Sequence, residues 1–285
     1  MSNLVHCPSC GARLTDADRF CEACGARVGH PGDDERDHAE IDLGMVAGVT
    51  DRGLLHERNE DALFVSRADG TAVVVICDGV SSSTDPHSAA QVAADVGGRA
   101  LVSALQGGDW NPDAATVAAI DAAQHAVETV PAAIEHPEDP PACTFVSAVW
   151  DGHDLTIGWV GDSRAYWIAG DDVRRFTVDD AWDDSHTLTR WLGADAPLAA
   201  PGVTRFTPKG AGRVIVCSDG LWNYAAQTEE LAALVAPTAE GASSIGLAQT
   251  LTRAALAAGG HDNITVAVLT IGTEVDATDA PGDES

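Results

Sequence analysis

Three apolar runs in this chain finish on an aspartate: "VVVICDGV" at Asp78, "GWVGDS" at Asp162 and "VIVCSDG" at Asp219. Runs this rich in Val and Ile read as buried strands. One carboxylate at a strand tip is ordinary, because Asp opens turns and caps helices. Three on separate strands ask for one explanation: tips from distant parts of the chain meet at one place. Glu60 and Asp61 in "RNEDALF" and Asp262 in "HDNI" stand at the edges of further β-type runs. Carboxylates brought together repel, so protons or metal ions must neutralise them.

The segment from 41 to about 272 alternates between two textures. One is short β-rich runs: "TAVVVICD", "CTFVSAVW", "DLTIGWVGD", "RAYWIA", "RVIVCSD" and "NITVAVLTI". The other is Ala-rich helical stretches. Asp85 with Pro86, and Asn111 with Pro112, supply an N-cap and a first helical residue for one pair of helices. "TEELAALVA" and "SSIGLAQTLTRAALAAGG" form a second pair, the last stopping at Gly259 and Gly260. The tight turn "WDGHD" predicts antiparallel pairing. Strands in runs with helices segregated from them predict an α+β fold, not repeated βαβ units. Neither GxGxxG nor GxxxxGK[ST] occurs, so a dinucleotide or P-loop fold has no support.

The N-terminus is a separate case. "CPSCGARLTDADRFCEACG" carries two CxxCG knuckles, Cys7 with Cys10 and Cys21 with Cys24. Four thiolates around one ion read as a structural Zn2+ site with no open position for catalysis. So short a segment would draw its folding energy from the metal. The expected organisation is a zinc ribbon over 1–28, a polar linker over 29–40, the main domain over 41–272 and an acidic, disordered tail over 273–285. The ribbon's expected role is docking to a protein partner that the sequence does not name.

Composition closes off several classes. With 16 basic and 44 acidic residues the net charge is −28, which repels nucleic acid. No apolar run approaches the ~20 residues of a membrane helix, and "MSNLVHCPSC" does not resemble a secretory signal. Two CxxC pairs, an odd cysteine total and isolated Cys77, Cys143 and Cys217 argue for a reducing compartment. The expectation is a cytoplasmic protein that binds neither membrane nor nucleic acid.

Carboxylates without a His cluster suit Mg2+ or Mn2+, and the glycine after Asp78 lets a carbonyl turn inward as a further ligand. Taken in order, "DRGLLHERNEDA", "VVVICDGV", "ACTFVSAVW", "GWVGDSRAYWI", "HTLTRWLG", "VIVCSDGLWNY" and "GGHDNITVAVL" resemble the motifs of the PP2C-type (PPM) metal-dependent protein Ser/Thr phosphatases, across about 48–269. The resemblance implies a four-layer α-β-β-α sandwich, two antiparallel sheets flanked by helix pairs. It implies hydrolysis of phosphoserine and phosphothreonine in proteins by a water that two metal ions activate. Asp78 would bridge those ions, the Gly79 carbonyl would bind one, and Asp219 and Asp262 would hold the other. Glu60 and Asp61 would act through bound waters and hydrogen bonds. Asp162 matches the position for a third, weaker metal, and Asn263 and Ser163 would support the ligands. The substrates would be phosphorylated proteins, targets of a bacterial Ser/Thr kinase.

The chain departs from that family in three places. The phosphate-gripping Arg of the first motif is replaced by His56. Arg58 lies two residues on, on the same side by strand parity, and its permanent charge and bidentate fork favour it over His56 for the substrate phosphate. After Asp78-Gly79 the chain reads Val80, Ser81, Ser82, Ser83, so the family's histidine general acid is missing. The segment "TVDDAWDDSHTLTRWLG" is shorter than the family's flap. The alternative reading is a catalytically weak or inactive pseudophosphatase that binds phosphoproteins as a scaffold.

Overall fold

The computed structural model describes residues 5–6, 13–14, 37–108, 110–131, 138–182, 187–197, 199–236 and 242–272. At the N-terminus β1 (Val5–His6) pairs antiparallel with β2 (Arg13–Leu14). Cys7, Cys10, Cys21 and Cys24, expected as zinc ligands, lie outside the described residues, as does the tail over 273–285. The sheet already begins at β3 (His38–Asp42), so the main body takes in the end of the stretch read as linker over 29–40. This edge strand alternates exposed with half-buried side chains. It therefore carries charge where an interior strand carries Val, and charge reads as linker.

Two antiparallel sheets form the centre. The first has five strands in the order β13 (Gly202–Phe206), β9 (Leu155–Val160), β8 (Phe145–Trp150), β6 (Thr71–Cys77), β5 (Ala62–Ala68). The second has six: β11 (Asp172–Arg175), β10 (Arg164–Ala169), β14 (Gly212–Cys217), β15 (Ile264–Ile271), β4 (Val46–Asp51), β3. A short pair joins β7 (Ala142–Cys143) to β12 (Leu192–Gly193).

The two-residue period of a strand sorts each apolar run between two cores. On β6, Ala72, Val74 and Ile76 face the second sheet and meet Val214, Val216, Ala267 and Leu269. Val73, Val75 and Cys77 face the other way, against α1 (Pro86–Gln106) and α2 (Pro112–Glu128). Ile215 and Cys217 on β14, with Val266 and Val268 on β15, pack under α4 (Thr228–Val235) and α5 (Ser244–Ala258). A continuous apolar run is thus what a strand buried on both faces requires. The four layers are helix, sheet, sheet, helix.

Small residues set the helix-to-sheet spacing in the first half. A Cβ at Gly98 would come within 2.3 Å of Phe64, and one at Gly97 within 2.5 Å of Phe145. The two glycines cost α1 about 1 kcal/mol each in helix propensity, and in exchange the helix lies directly on two aromatic rings. Asn111 caps α2, its side chain accepting from the Ala114 N–H at 3.2 Å. Asp85 does not cap α1: it is left-handed (φ 51) and its side chain makes no cap bond. Pro86 alone marks that start. The left-handed pair Asp69-Gly70 turns β5 into β6.

Candidate metal centre

The antiparallel order brings the ends of several strands to one end of the sandwich. Asp78 follows β6, Asp162 follows β9, Asp61 precedes β5 and Asp262 stands just before β15. Asp219 opens the short helix α3 (Asp219–Trp222) directly after β14. Asp78, Gly79, Asp162, Asp219 and Asp262 line one open cleft of about 520 Å3.

Backbone contacts fix these tips. The Asp78 N–H donates to Thr144 Oγ1 at 3.0 Å, and that hydroxyl bonds Ser163 Oγ at 2.8 Å. The Gly79 N–H donates to the Glu60 carbonyl at 3.2 Å. A Cβ at Gly79 would sit 2.8 Å from that carbonyl and from Pro86, so a side chain has no room there. Gly220 plays the same part across the cleft, because a Cβ there would meet the Asn263 carbonyl at 2.0 Å. Its bareness lets α3 and the start of β15 approach, which carries Asp219 toward Asp262. Arg190 braces another tip: it donates to Asp180 Oδ1 at 3.0 Å, while Asp180 Oδ2 accepts the Gly161 N–H at 3.0 Å.

Asn263 fastens the loop over 52–60. Its Oδ1 accepts the Glu60 N–H at 2.7 Å, and its Nδ2 donates to the carbonyls of Arg52 (2.7 Å) and Arg58 (3.1 Å). Glu60 Oε2 accepts from Ser81 Oγ at 2.8 Å, which ties the serine run to the acidic set. Behind the cleft, buried Asp61 accepts from Ser218 Oγ at 2.8 Å through Oδ2. Its Oδ1 is buried with no hydrogen-bond partner.

Residues 52–61 form turns and loop, not a strand, so the parity argument that favoured Arg58 does not apply. His56 reaches the acidic set, with Nε2 3.1 Å from Asp262 Oδ1. Arg58 is exposed, and its carbonyl rather than its guanidinium meets Asn263. Thr144 and Ser218 hold the tips and were not singled out in the sequence. The signal for both was small: one hydroxyl residue beside a strand tip in an otherwise apolar run, "CTF" and "CSD".

The electrostatics follow from the crowding. Burial, and then the charges of Asp61, Asp219, Asp162 and Asp262, push the Asp78 carboxyl well above the usual carboxylate range. Burial and then Asp262, Asp162 and Asp61 do the same to Asp219. Burial raises Asp61 to about 7, against the pull of the Thr265 and Ser218 hydroxyls. No Lys or Arg side chain lines the cleft among the described residues, and His56 meets it only through Asp262.

This donor set fits a hard divalent cation. It offers carboxylate oxygens under mutual repulsion, and a buried Asp61 oxygen without a donor. Among the described residues, no three His, Cys, Asp or Glu side chains close into a cage around one point. Mg2+ and Mn2+ do not require one: Mg2+ keeps several waters and takes one or two carboxylates directly. No helix among the described residues is long and apolar enough to cross a membrane.

Comparison with known proteins agrees with this geometry. The protein phosphatase 2C family pattern matches residues 55–255, and a zinc-ribbon pattern matches residues 6–28. The serine/threonine protein phosphatase PstP of Mycobacterium tuberculosis is 27% identical over 242 residues, covering 78% of this chain and 44% of PstP. The chain thus spans less than half the length of that relative. The catalytic domain of PstP, solved with two manganese ions, superposes with a TM-score of 0.60 at 23% identity, covering 79% of this chain and 97% of that one. The PPM Ser-Thr phosphatase MsPP of Mycobacterium smegmatis, solved with cacodylate, gives 0.62 at 23% identity, with coverages of 80% and 98%.

Proposed function

The chain belongs to the protein phosphatase 2C family, and from that membership we propose that it hydrolyses phosphoserine and phosphothreonine esters in proteins, in dependence on Mn2+ or Mg2+. The observation that carries this reading is the convergence of Asp78, Asp162, Asp219 and Asp262 on one cleft. The manganese in the PstP catalytic domain supports it.

Asp78 and the Gly79 carbonyl, with Asp219 and Asp262, would hold two ions, and Asp162 would serve a third, weaker one. When bound, the ions supply a hydroxide from water near neutral pH and offset charge on the phosphoryl oxygens. The chain's own groups position that chemistry. Thr144 and Ser163 fix the Asp78 backbone, and Ser218 orients Asp61. Glu60 presents its carboxylate beside Ser81 and orders solvent. His56 is the cleft-side candidate for contact with the substrate phosphate, since it already reaches Asp262. Arg58 is the outer candidate. No protein nucleophile is required.

The family match over 6–28 supports a zinc ribbon, in which Cys7, Cys10, Cys21 and Cys24 would hold one structural Zn2+, and its role in this reading is to dock a protein partner. The site of action is the reducing cytoplasm, where the free, buried Cys77, Cys143 and Cys217 stay reduced. The substrates are targets of a bacterial Ser/Thr kinase.

The test is turnover of a phosphothreonine peptide by the full chain, with Mn2+ and with EDTA. Hydrolysis that needs Mn2+ and disappears in Asp78→Ala and Asp219→Ala is the expected result. Stable phosphopeptide binding without turnover would mark a binding module instead.

A further inference from the structure

One buried side chain stands between two of the cleft's strand tips. Thr144 fills the gap between β7 and β8, is 2% exposed and borders the cleft. Two bonds lace it to the β6 tip. Its N–H donates to the Asp78 carbonyl at 2.7 Å, and its Oγ1 accepts the Asp78 N–H at 3.0 Å. The same Oγ1 shares a hydrogen bond of 2.8 Å with Ser163 Oγ, on the residue after Asp162. Its Cβ and Cγ2 press on the residue before Asp162: a Cβ at Gly161 would come within 2.7 Å of each. Gly161 is left-handed (φ 104), so the backbone turns into Asp162 where a side chain would not fit.

Thr144 thus bonds or packs against both chain neighbours of Asp162, and it bonds both backbone groups of Asp78. Other bonds at the Asp162 tip lead elsewhere: Trp222 belongs to α3, and Asp180 leads on to Arg190. Ser163 is 1% exposed, so neither hydroxyl has water to turn to if the bond between them breaks. A displacement of one tip is therefore passed to the other. Holding Asp162 in place fixes Ser163, Thr144 and the Asp78 backbone in turn, and that ordering need not be repeated when Asp78 takes its own ligand.

We infer that Thr144 and Ser163 are positioning residues whose hydroxyl contact couples the Asp162 site to the Asp78 site and favours filling both together. This rests on the reading of the cleft as a metal centre with a pair of ions at Asp78 and a third at Asp162. Repulsion between ions acts through space and is the same in every variant that keeps the aspartates. A difference among hydroxyl variants therefore reads the contact itself.

The test is a calorimetric titration of the full chain with Mn2+, using Asp162→Asn to remove the third site. In the wild-type chain Asp162→Asn should weaken Mn2+ binding at the Asp78 pair about tenfold. In a Ser163→Ala background, which leaves the Asp78 N–H its acceptor, the same change should weaken it only about twofold. Thr144→Val should behave like Ser163→Ala, and Thr144→Ser, which keeps the hydroxyl, like the wild type. A merely structural role would lower the Tm of the metal-free variants and leave the Asp162→Asn factor equal in every background. That result, or a collapsed factor in Thr144→Ser, would overturn the inference. If Thr144→Val does not fold, Ser163→Ala and Thr144→Ser still decide. A wild-type chain that takes up no Mn2+ would sink the metal-centre reading and this inference with it, whereas Mn2+ uptake with equal factors sinks this inference alone.

Discussion

Half-buried carboxylates occur in two settings in this fold. Asp179 faces Arg164, which is almost fully buried and grips it with two bonds, Nε to Oδ1 at 3.0 Å and Nη2 to Oδ2 at 2.7 Å. The guanidinium also stacks on Trp222 at 3.6 Å and donates to the Ala226 carbonyl at 3.2 Å. That charge is answered within the chain. A short distance away, Trp222 donates its indole N–H to the Asp162 carbonyl at 3.0 Å, and there the cleft begins. Asp78 and Asp219 crowd one another and their acidic neighbours, with no Lys or Arg lining the site among the described residues. The first arrangement completes the fold. The second crowds carboxylates whose pKa values are raised, the kind of arrangement that marks a functional site.

The comparison breaks most sharply under mutation of the inner set. Asp78→Ala should lower Mn2+-dependent turnover about a thousandfold or more, since the ligand proposed for both ions is lost. Steady-state kinetics on a phosphopeptide would show it. Arg164→Ala should cost about 2 kcal/mol of stability, through the lost packing on Trp222 and the lost two-bond grip on Asp179, which keeps only Arg175 at 3.4 Å. Urea unfolding would measure that loss, and Mn2+ should not restore it selectively.

A pH series sharpens the same contrast. Folding raises Asp61 from the ordinary 3.8 to about 7, and raises Asp78 and Asp219 as well. Between those values the metal-free folded state binds more protons than the unfolded chain, so its stability falls as pH rises. Mn2+ binds the ionised carboxylates and removes that loss. The Mn2+-induced rise in Tm should be about 5–10 °C at pH 8 with metal at a hundredfold its Kd, and less than half of that at pH 5. Thermal scans at the two pH values decide it, and a rise that does not depend on pH would contradict the account. The smallest effect concerns the metal-free protein alone. Asp219→Asn should stabilise it by about 1 kcal/mol, because a repelling charge disappears. The same change should weaken Mn2+ binding in a calorimetric titration.

Much of this was readable from the sequence because burial on both faces leaves continuous apolar runs. β6, β14 and β15 announce themselves that way, and their tips place Asp78, Asp219 and Asp262. The edge strands were not readable. β3 alternates polar with half-buried residues and passes for linker. The loop over 52–60 is hard to read for a related reason: without a sheet partner its residues keep no parity, and it is the His56 ring that meets Asp262. Thr144 and Ser218 could not be weighted, since a single hydroxyl beside a strand has many uses.

Anomalous diffraction from crystals soaked in Mn2+ bears most directly on the whole scheme. The expected map shows two strong peaks between Asp78, Asp219 and Asp262, with a weaker third at Asp162. A map without density at those carboxylates, under Mn2+ concentrations that support phosphopeptide hydrolysis, would show that the chemistry lies elsewhere.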